Sequence, residues 1–264
     1  MSGIRRAPVL AAVTWAYVAW SLLPVVAAVV GSLHPESTSM LGLDAYRFAW
    51  RGETRQAFFQ SVRLAILTVA IAVPLGTSLG LALAHLRHGP WRVVELGLLV
   101  LVALPHTVLA VMLFYVFVFL VPSRFTTPTQ LLGHVTIALP FVALIVLIRL
   151  WYLDPAYEEQ AADLGAPPLS ATSRVLVALC FPAMIVAATV AFTLSFNEIP
   201  ISAYLCIPNE CRTIPVMLSG RAIGTVPPPA LAISALATLI SVGTLVLAIL
   251  AVRGLRGRSA QIAR

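Results

Sequence analysis

The chain has 264 residues, a net charge of +7, 60% hydrophobic and 10% charged residues, and a mean hydropathy of +0.96. Soluble domains are about 45–50% apolar and about 25% charged, so this composition excludes a chain whose main solvent is water. The 17 basic residues are all arginines at the ends of apolar runs, which argues against a nucleic-acid partner and favours a role in membrane topology.

Six apolar runs are long enough to cross the hydrocarbon core, which takes about 20 helical residues. In chain order they cover residues 9–31, 58–84, 93–120, 130–150, 175–204 and 229–252. Pro182 and Pro200 are expected to break the fifth run. The first run follows two arginines as a secretory signal does, but it is too long and lacks a small-residue cleavage site. We therefore predict an all-α membrane protein with six transmembrane helices, the first of them uncleaved.

Arginine placement predicts the orientation, because cytoplasmic loops retain positive charge. With the N-terminus inside, ten of the 17 arginines fall on the cytoplasmic side, although Arg47, Arg51 and Arg55 in the first external loop weaken the bias. Six spans then place both termini in the cytoplasm.

The longest cytoplasmic segment, 151–174, holds four of the ten acidic residues: Asp154, Glu158, Glu159 and Asp163. Asp154 is a suitable N-cap, Pro155 suits the first helical position, and Gly165 can end a helix. About 11 residues at 1.5 Å each give a helix of about 16 Å, too short and too polar to span a membrane. The segment predicts a short helix on the cytoplasmic surface.

Glu159 and Asp163 lie four residues apart and share one face of this helix, beside the small residues Ala161, Ala162 and Gly165. Two carboxylates next to small side chains suit docking into a groove that carries basic or polar donors on another protein. A solvated loop helix is the alternative on composition alone.

The stretch 158–166, Glu-Glu-Gln-Ala-Ala-Asp-Leu-Gly-Ala, resembles the cytoplasmic signature loop of permease subunits of ABC importers, often written E-A-A-x-x-x-G. Glu159 matches the Glu, Ala161 the second Ala and Gly165 the Gly, while Gln160 replaces the first Ala. In that family the loop forms a coupling helix that fits a cleft in the ATPase subunit. The resemblance thus implies six coupling residues: Glu158, Glu159, Ala161, Ala162, Asp163 and Gly165.

We expect residues 1–264 to form a single permease domain. The resemblance covers about residues 58–252, and the first helix, residues 9–31, corresponds to the extra helix that such permeases usually carry. It implies a second permease subunit, either related or a second copy, a partner ATPase dimer that binds ATP and Mg²⁺, and an extracytoplasmic substrate-binding protein. The expected location is the bacterial inner membrane, with lipid around the spans. The chain itself is expected to bind no cofactor or metal.

Catalytic motifs are absent from the sequence, which contains no G-x-x-x-x-G-K-[ST], G-x-S-x-G or H-E-x-x-H. We therefore predict a non-catalytic subunit whose energy comes from another polypeptide. An ATP-independent secondary transporter or channel is the alternative, and a membrane enzyme is disfavoured.

Glu198 is an ionisable residue in the fifth span, which makes it a candidate functional residue. The segment is similar to span five of polyamine-type permeases, where Thr-Leu-Ser-Phe precedes two acidic residues. Here Asn197 stands at the first acidic position. The similarity implies an amine-bearing organic cation such as putrescine or spermidine, with aminophosphonate, iron and oxyanions as alternatives. A structural hydrogen bond or an interfacial salt bridge is the alternative role for Glu198.

Pro105 and His106 interrupt the third span, where related permeases often carry a proline-containing break. Both are candidate pathway residues, and His106 is alternatively satisfied between helices. Gly76 and Gly80 form a G-x-x-x-G pattern that predicts close helix packing.

Cys206 and Cys211 fall on the predicted external side, where a disulfide can persist, and we treat them as a candidate bridge. Metal binding is disfavoured because no histidine accompanies them.

Overall fold

The computed structural model describes residues 7–33, 44–86, 89–121, 125–154, 156–165, 167, 175–207, 211–221 and 228–262. All regular elements within these residues are helical. They are α1 (Ala7–Leu33), α2 (Asp44–Ala49), α3 (Gly52–His85), α4 (Trp91–Ala103), α5 (His106–Tyr115) with a π-helical turn (Val116–Leu120), α6 (Thr127–Trp151), α7 (Ala156–Asp163), α8 (Val177–Phe196), α9 (Pro200–Leu205), α10 (Ile214–Arg221) and α11 (Pro228–Ile262).

Five of these helices, α1, α3, α6, α8 and α11, are long and apolar enough to cross a membrane. The pair formed by α4 and α5 passes the same test but is bent by 111° at its break. The prediction of an all-α membrane protein with six spans is confirmed, with this bent pair as the third span. Pro105 explains the break, because it disfavours the helical conformation at Leu104, whose ψ is 134°.

The predicted fifth span is also divided. Helix α8 ends at Phe196, residues 197–199 are non-helical, and α9 begins at Pro200, a position that proline favours. The prediction of a further break at Pro182 is wrong, since α8 continues through it. Proline is tolerated inside membrane helices because neighbouring groups satisfy the freed backbone carbonyl.

The described chain divides into two compact units. The larger unit contains residues 56–216 and 243–264 and is centred on α6, which packs against α8, α4 and α9. Small and β-branched side chains fill the α3–α6–α8 contact: Ala72, Ala138, Val142, Ala187 and Ala191.

The G-x-x-x-G pattern lies at the α3–α6 contact. A Cβ on Gly76 would lie 2.7 Å from Val142 Cβ, and one on Gly80 would lie 2.8 Å from the Ala143 carbonyl oxygen. Both distances are shorter than side chains allow, so the glycines let the two helices approach. The predicted packing role is confirmed.

The smaller unit contains residues 1–55 and 217–242. Its helix α1 is apolar, and none of the residues in its membrane-spanning window is buried. Contacts occur near its C-terminal end, where Ser32 Oγ lies 2.8 Å from Tyr46 Oη and a Cβ on Gly31 would lie 2.8 Å from Leu231 Cδ1.

Candidate functional site

The acidic motif forms α7, a helix of eight residues between α6 and α8. The Ala156 N–H donates to Asp154 Oδ1 at 3.0 Å, which is the geometry of an N-terminal cap. Gly165 has a φ of +79°, a left-handed conformation that glycine adopts without a steric cost and that follows many helix ends. The observed helix is shorter than the 11 residues predicted, and Pro155 lies outside the described residues.

The carboxylates of α7 face away from the rest of the protein. Glu159 and Asp163 are exposed, Leu164 is 89% exposed, and Ala161 on the opposite side is buried at 8% exposure. Neither carboxylate forms an ion pair within the described part of the chain. The side chain of Ala162 lies outside the described residues. The outer face of α7 is therefore acidic and open.

A histidine at the end of α3 contacts α7. His85 Nε2 lies 2.9 Å from Glu158 Oε1, and His85 Nδ1 lies 2.8 Å from the Leu81 carbonyl oxygen. Both partners are acceptors, so the ring satisfies both only when each nitrogen carries a proton. No local sequence pattern predicts this pair, because His85 and Glu158 are 73 residues apart.

The two broken spans meet at a histidine–glutamate pair. His106, the first residue of α5, places Nδ1 2.7 Å from Glu198 Oε2. The other carboxylate oxygen accepts the Ile201 N–H at 3.2 Å. Glu198 is only 4% exposed, whereas the His106 side chain is 32% exposed. A buried carboxylate is costly unless it is partnered, and here both oxygens have partners.

The other two candidate pathway residues are not part of this pair. Pro105 is exposed and ends the break before α5. Asn197 is also exposed, and its side-chain amide donates to the Thr193 carbonyl oxygen at 2.9 Å. The structure thus joins His106 and Glu198 and leaves Asn197 bonded to its own helix.

A buried chain of hydrogen bonds centred on His134 was missed by the sequence analysis. Ser195 Oγ donates to Thr68 Oγ1 at 3.2 Å, and Thr68 Oγ1 donates to the Leu64 carbonyl at 2.8 Å. Because the Ser195 hydroxyl proton is already used, Ser195 Oγ accepts a hydrogen bond from the His134 Nδ1–H at 2.8 Å. The other ring nitrogen, Nε2, then carries no proton and accepts from the Ser202 hydroxyl at 2.9 Å. His134 lies in the predicted fourth span, so the reasoning that selected Glu198 also applies to it.

Further polar contacts hold the C-terminal end of α9. Thr129 Oγ1 lies 3.2 Å from the Leu205 carbonyl oxygen, and the Ile207 N–H donates to the Phe125 carbonyl at 3.3 Å. With the Ser202 contact in the middle and the Glu198 contact at the start, α9 is fixed to α5 and α6 along its whole length.

The two candidate disulfide cysteines are bonded in the structure. Cys206 and Cys211 are joined Sγ to Sγ, with Cα atoms 6.0 Å apart. Residues 208–210 of the intervening loop lie outside the described residues. Within the described chain no group of three or more His, Cys, Asp or Glu side chains has an arrangement suited to a metal ion.

Comparison with known proteins gives relatives that match over most of their length, although no family model matches the sequence. The chain is 30% identical over 227 residues to the trehalose transport system permease protein SugB of Mycobacterium tuberculosis, covering 82% of each chain. It is 30% identical over 203 residues to the putrescine transport system permease protein PotI of Escherichia coli K12, covering 72% of this chain and 71% of the relative.

Solved structures give the same outline. The fold matches a bacterial ABC transporter that imports the acidic polysaccharide alginate, with a TM-score of 0.74 and 15% identity over 95% of this chain and 96% of the other. A bacterial alginate ABC transporter in complex with an alginate pentasaccharide-bound periplasmic protein also matches, with a TM-score of 0.70, 14% identity and coverage of 93% and 94%. At these identities the likeness establishes the fold.

Proposed function

This chain belongs to the family of permease subunits of ABC importers, and from that premise we propose that it forms part of an ATP-driven solute pathway through the bacterial inner membrane. Its proposed partners are a second permease subunit, related or identical, a dimer of ATPase subunits, and an extracytoplasmic binding protein. Permease subunits are non-catalytic, so ATP and Mg²⁺ belong to the ATPase partner in this proposal.

The observation that carries the proposal is the outer face of α7. A helix of about 12 Å that lies outside the spans suits a receptor groove with basic donors, because it presents, opposite a buried alanine, two carboxylates without an ion pair among the described residues. Its sequence also resembles the coupling loop of importer permeases. We therefore propose that Glu159 and Asp163 make the polar contacts to the ATPase and that Ala162 and Gly165 permit the close fit, while Ala161 packs α7 against the rest of this chain.

In the proposed cycle, ATP binding closes the ATPase dimer and α7 moves with it as a rigid body. Movement of α7 reaches the spans through Trp151 at the end of α6, Val177 at the start of α8, and the His85–Glu158 contact with α3. The two permease subunits then exchange inward and outward access. This arrangement requires α7, and with it both termini, to face the cytoplasm.

The broken spans supply the proposed pathway residues Pro105, His106, Asn197 and Glu198. Non-helical backbone at membrane depth is tolerated where it is buried in protein or lines a watery cavity. The exposed edge of His106 is the part of the pair that a solute can reach in this structure, and a cation contacts the buried Glu198 carboxylate only where it displaces the His106 ring.

We propose an amine-bearing organic cation, such as a polyamine, as the first solute class to test. An ammonium group can replace the His106 N–H on Glu198 Oε2, and PotI is named for putrescine. A carbohydrate is the second class, because SugB is named for trehalose and the matched structures belong to alginate transporters. A thermal-shift screen of the associated binding protein against both classes would separate them.

The test of the importer assignment is co-purification. The tagged chain, solubilised in mild detergent, should retain a nucleotide-binding subunit in roughly stoichiometric amount. Glu159→Arg should abolish that retention while the variant stays in the membrane. A matched control is Glu53→Arg, which reverses an exposed carboxylate at the first turn of α3. Absence of any ATPase subunit in the wild-type preparation would instead support a secondary transporter or channel.

A further inference from the structure

A long groove runs between α8 and α11 in the larger unit of the chain. Its wider part has a volume of about 580 Å³ and its narrower part about 260 Å³, and the two parts share Val186 and Val252 in their walls. Two arginines line it: Arg149 from the last turn of α6, and Arg253 from α11.

The lining of the groove is charged at one end and apolar along its length. Arg149 lines the wider part and Arg253 lines the narrower part, next in sequence to Val252, which both parts share; Thr189 is the one other polar lining residue among those described. Thr189 Oγ1 already donates to the Ile185 carbonyl at 2.9 Å. No acidic side chain contributes to the walls, and neither guanidinium forms an ion pair within the described residues.

The length of the groove matches one leaflet of a bilayer. Along α8 the lining runs from Ala178 to Val190, and along α11 from Leu245 to Leu255. At 1.5 Å per residue these stretches span about 18 Å and about 15 Å. Half of the hydrocarbon core is about 15 Å thick. A ligand with an anionic head at the interface and a tail reaching the bilayer centre has these dimensions.

We propose that this groove binds one anionic phospholipid, with its phosphate on Arg149 and Arg253 and an acyl chain along α8 and α11. Arginine suits a phosphate because its planar fork donates two parallel hydrogen bonds. Basic pockets between membrane helices are a recurrent form of lipid headgroup site. The apolar walls do not suit a polar transported solute, because most of the groove offers no hydrogen-bond partner.

The site does not depend on the proposed importer role, and the test uses the full-length chain with any subunits that co-purify. Native mass spectrometry should show that the delipidated protein binds phosphatidylglycerol at least about tenfold more strongly than phosphatidylcholine. The double variant Arg149→Gln with Arg253→Gln should lose this preference. Arg92→Gln is the matched control, an exposed arginine outside the groove that should leave lipid binding unchanged.

Equal binding of the two lipids, or an unchanged preference in a folded double variant, would overturn the proposal. A second readout locates the lipid: phosphatidylglycerol with a photoreactive acyl chain should label peptides within 178–190 and 245–255. Labelling confined to other helices, or cross-linking of Val186→Cys to another polypeptide, would mean that something else covers the groove.

Discussion

The surroundings of His134 and the outer face of α7 use polar side chains in opposite ways. His134 is fully buried and both of its ring nitrogens have serine partners, whereas Glu159 and Asp163 are exposed and unpaired within the described chain. A polar group in an apolar interior destabilises the fold unless it is hydrogen-bonded, so the His134 contacts are structural. Exposed carboxylates contribute little to stability, and their conformation is free for contact with another protein.

The largest expected effect on stability comes from His134→Ala. The change leaves a cavity and removes the histidine contacts of Ser195 and Ser202, of which Ser195 keeps its hydrogen bond to Thr68, and it should cost about 2–4 kcal/mol. Thermal unfolding in detergent measures it, with Ser78→Ala as the control because that hydroxyl is exposed and bonds only to its own helix. A melting temperature equal to that of the control would show that the buried chain of hydrogen bonds is not structural.

Gly80→Ala should be the next most destabilising change. Its Cβ would meet the Ala143 carbonyl oxygen, a backbone atom that cannot rotate away, so α3 and α6 must separate at a cost of about 1–3 kcal/mol. Gly97→Ala is the control, since a Cβ there meets nothing within 4 Å. Equal unfolding temperatures for the two variants would contradict the close α3–α6 packing.

Glu198→Gln tests whether the His106–Glu198 pair stabilises the fold, as the His134 contacts do, or contacts another molecule, as proposed for the outer face of α7. The glutamine amide keeps the shape of the side chain and one acceptor oxygen, so the free energy of unfolding should change by only about 1 kcal/mol. If an ammonium replaces His106 on the carboxylate, uptake of radiolabelled putrescine into proteoliposomes should fall at least about tenfold, the effect of about 1.4 kcal/mol. Full retention of putrescine uptake would refute a charge contact between Glu198 and the solute.

The smallest expected effect is that of His85→Gln. The His85–Glu158 pair is about 40% exposed on both sides, and exposed pairs contribute less than about 1 kcal/mol. The free energy of unfolding of the variant should therefore stay within about 0.5 kcal/mol of the wild-type value. If this contact transmits the motion of α7 to α3, the co-purified complex that carries the variant should hydrolyse more ATP for each solute molecule imported. An unchanged ratio would leave the α6 and α8 connections as the sole route.

Local features of the sequence were sufficient for the spans and for the ends of α7. Apolar length predicts the six crossings, and Asp154 and Gly165 mark the helix boundaries because capping depends on neighbouring residues. The break before His106 follows from the effect of Pro105 on the residue that precedes it. The predicted break at Pro182 was wrong, because whether a proline breaks a membrane helix depends on the neighbouring groups that can satisfy the freed carbonyl.

The polar contacts between helices were beyond sequence reasoning. His106 and Glu198 are 92 residues apart, and His134 is 61 and 68 residues from its two serines. These pairs depend on which helices pack together and at what rotation, and the hydrophobic pattern of an all-apolar helix does not encode that rotation. Glu198 and His134 are singled out by residue type alone, while their partners follow only from the fold.

Cross-linking of α7 tests the central claim most directly. Glu159→Cys places a thiol on the outer face of α7. The native cysteines do not compete for the reagent, because Cys180 is buried and Cys206 and Cys211 are joined to each other. Labelling this thiol in the co-purified complex with a maleimide that carries a photoreactive benzophenone, followed by illumination, should link it to the nucleotide-binding subunit through a C–H bond of that subunit. The same treatment should leave Glu53→Cys unlinked. Equal linking of the two variants, or none at Glu159→Cys in a preparation that contains the ATPase, would contradict the assignment of α7 as the contact with the ATPase.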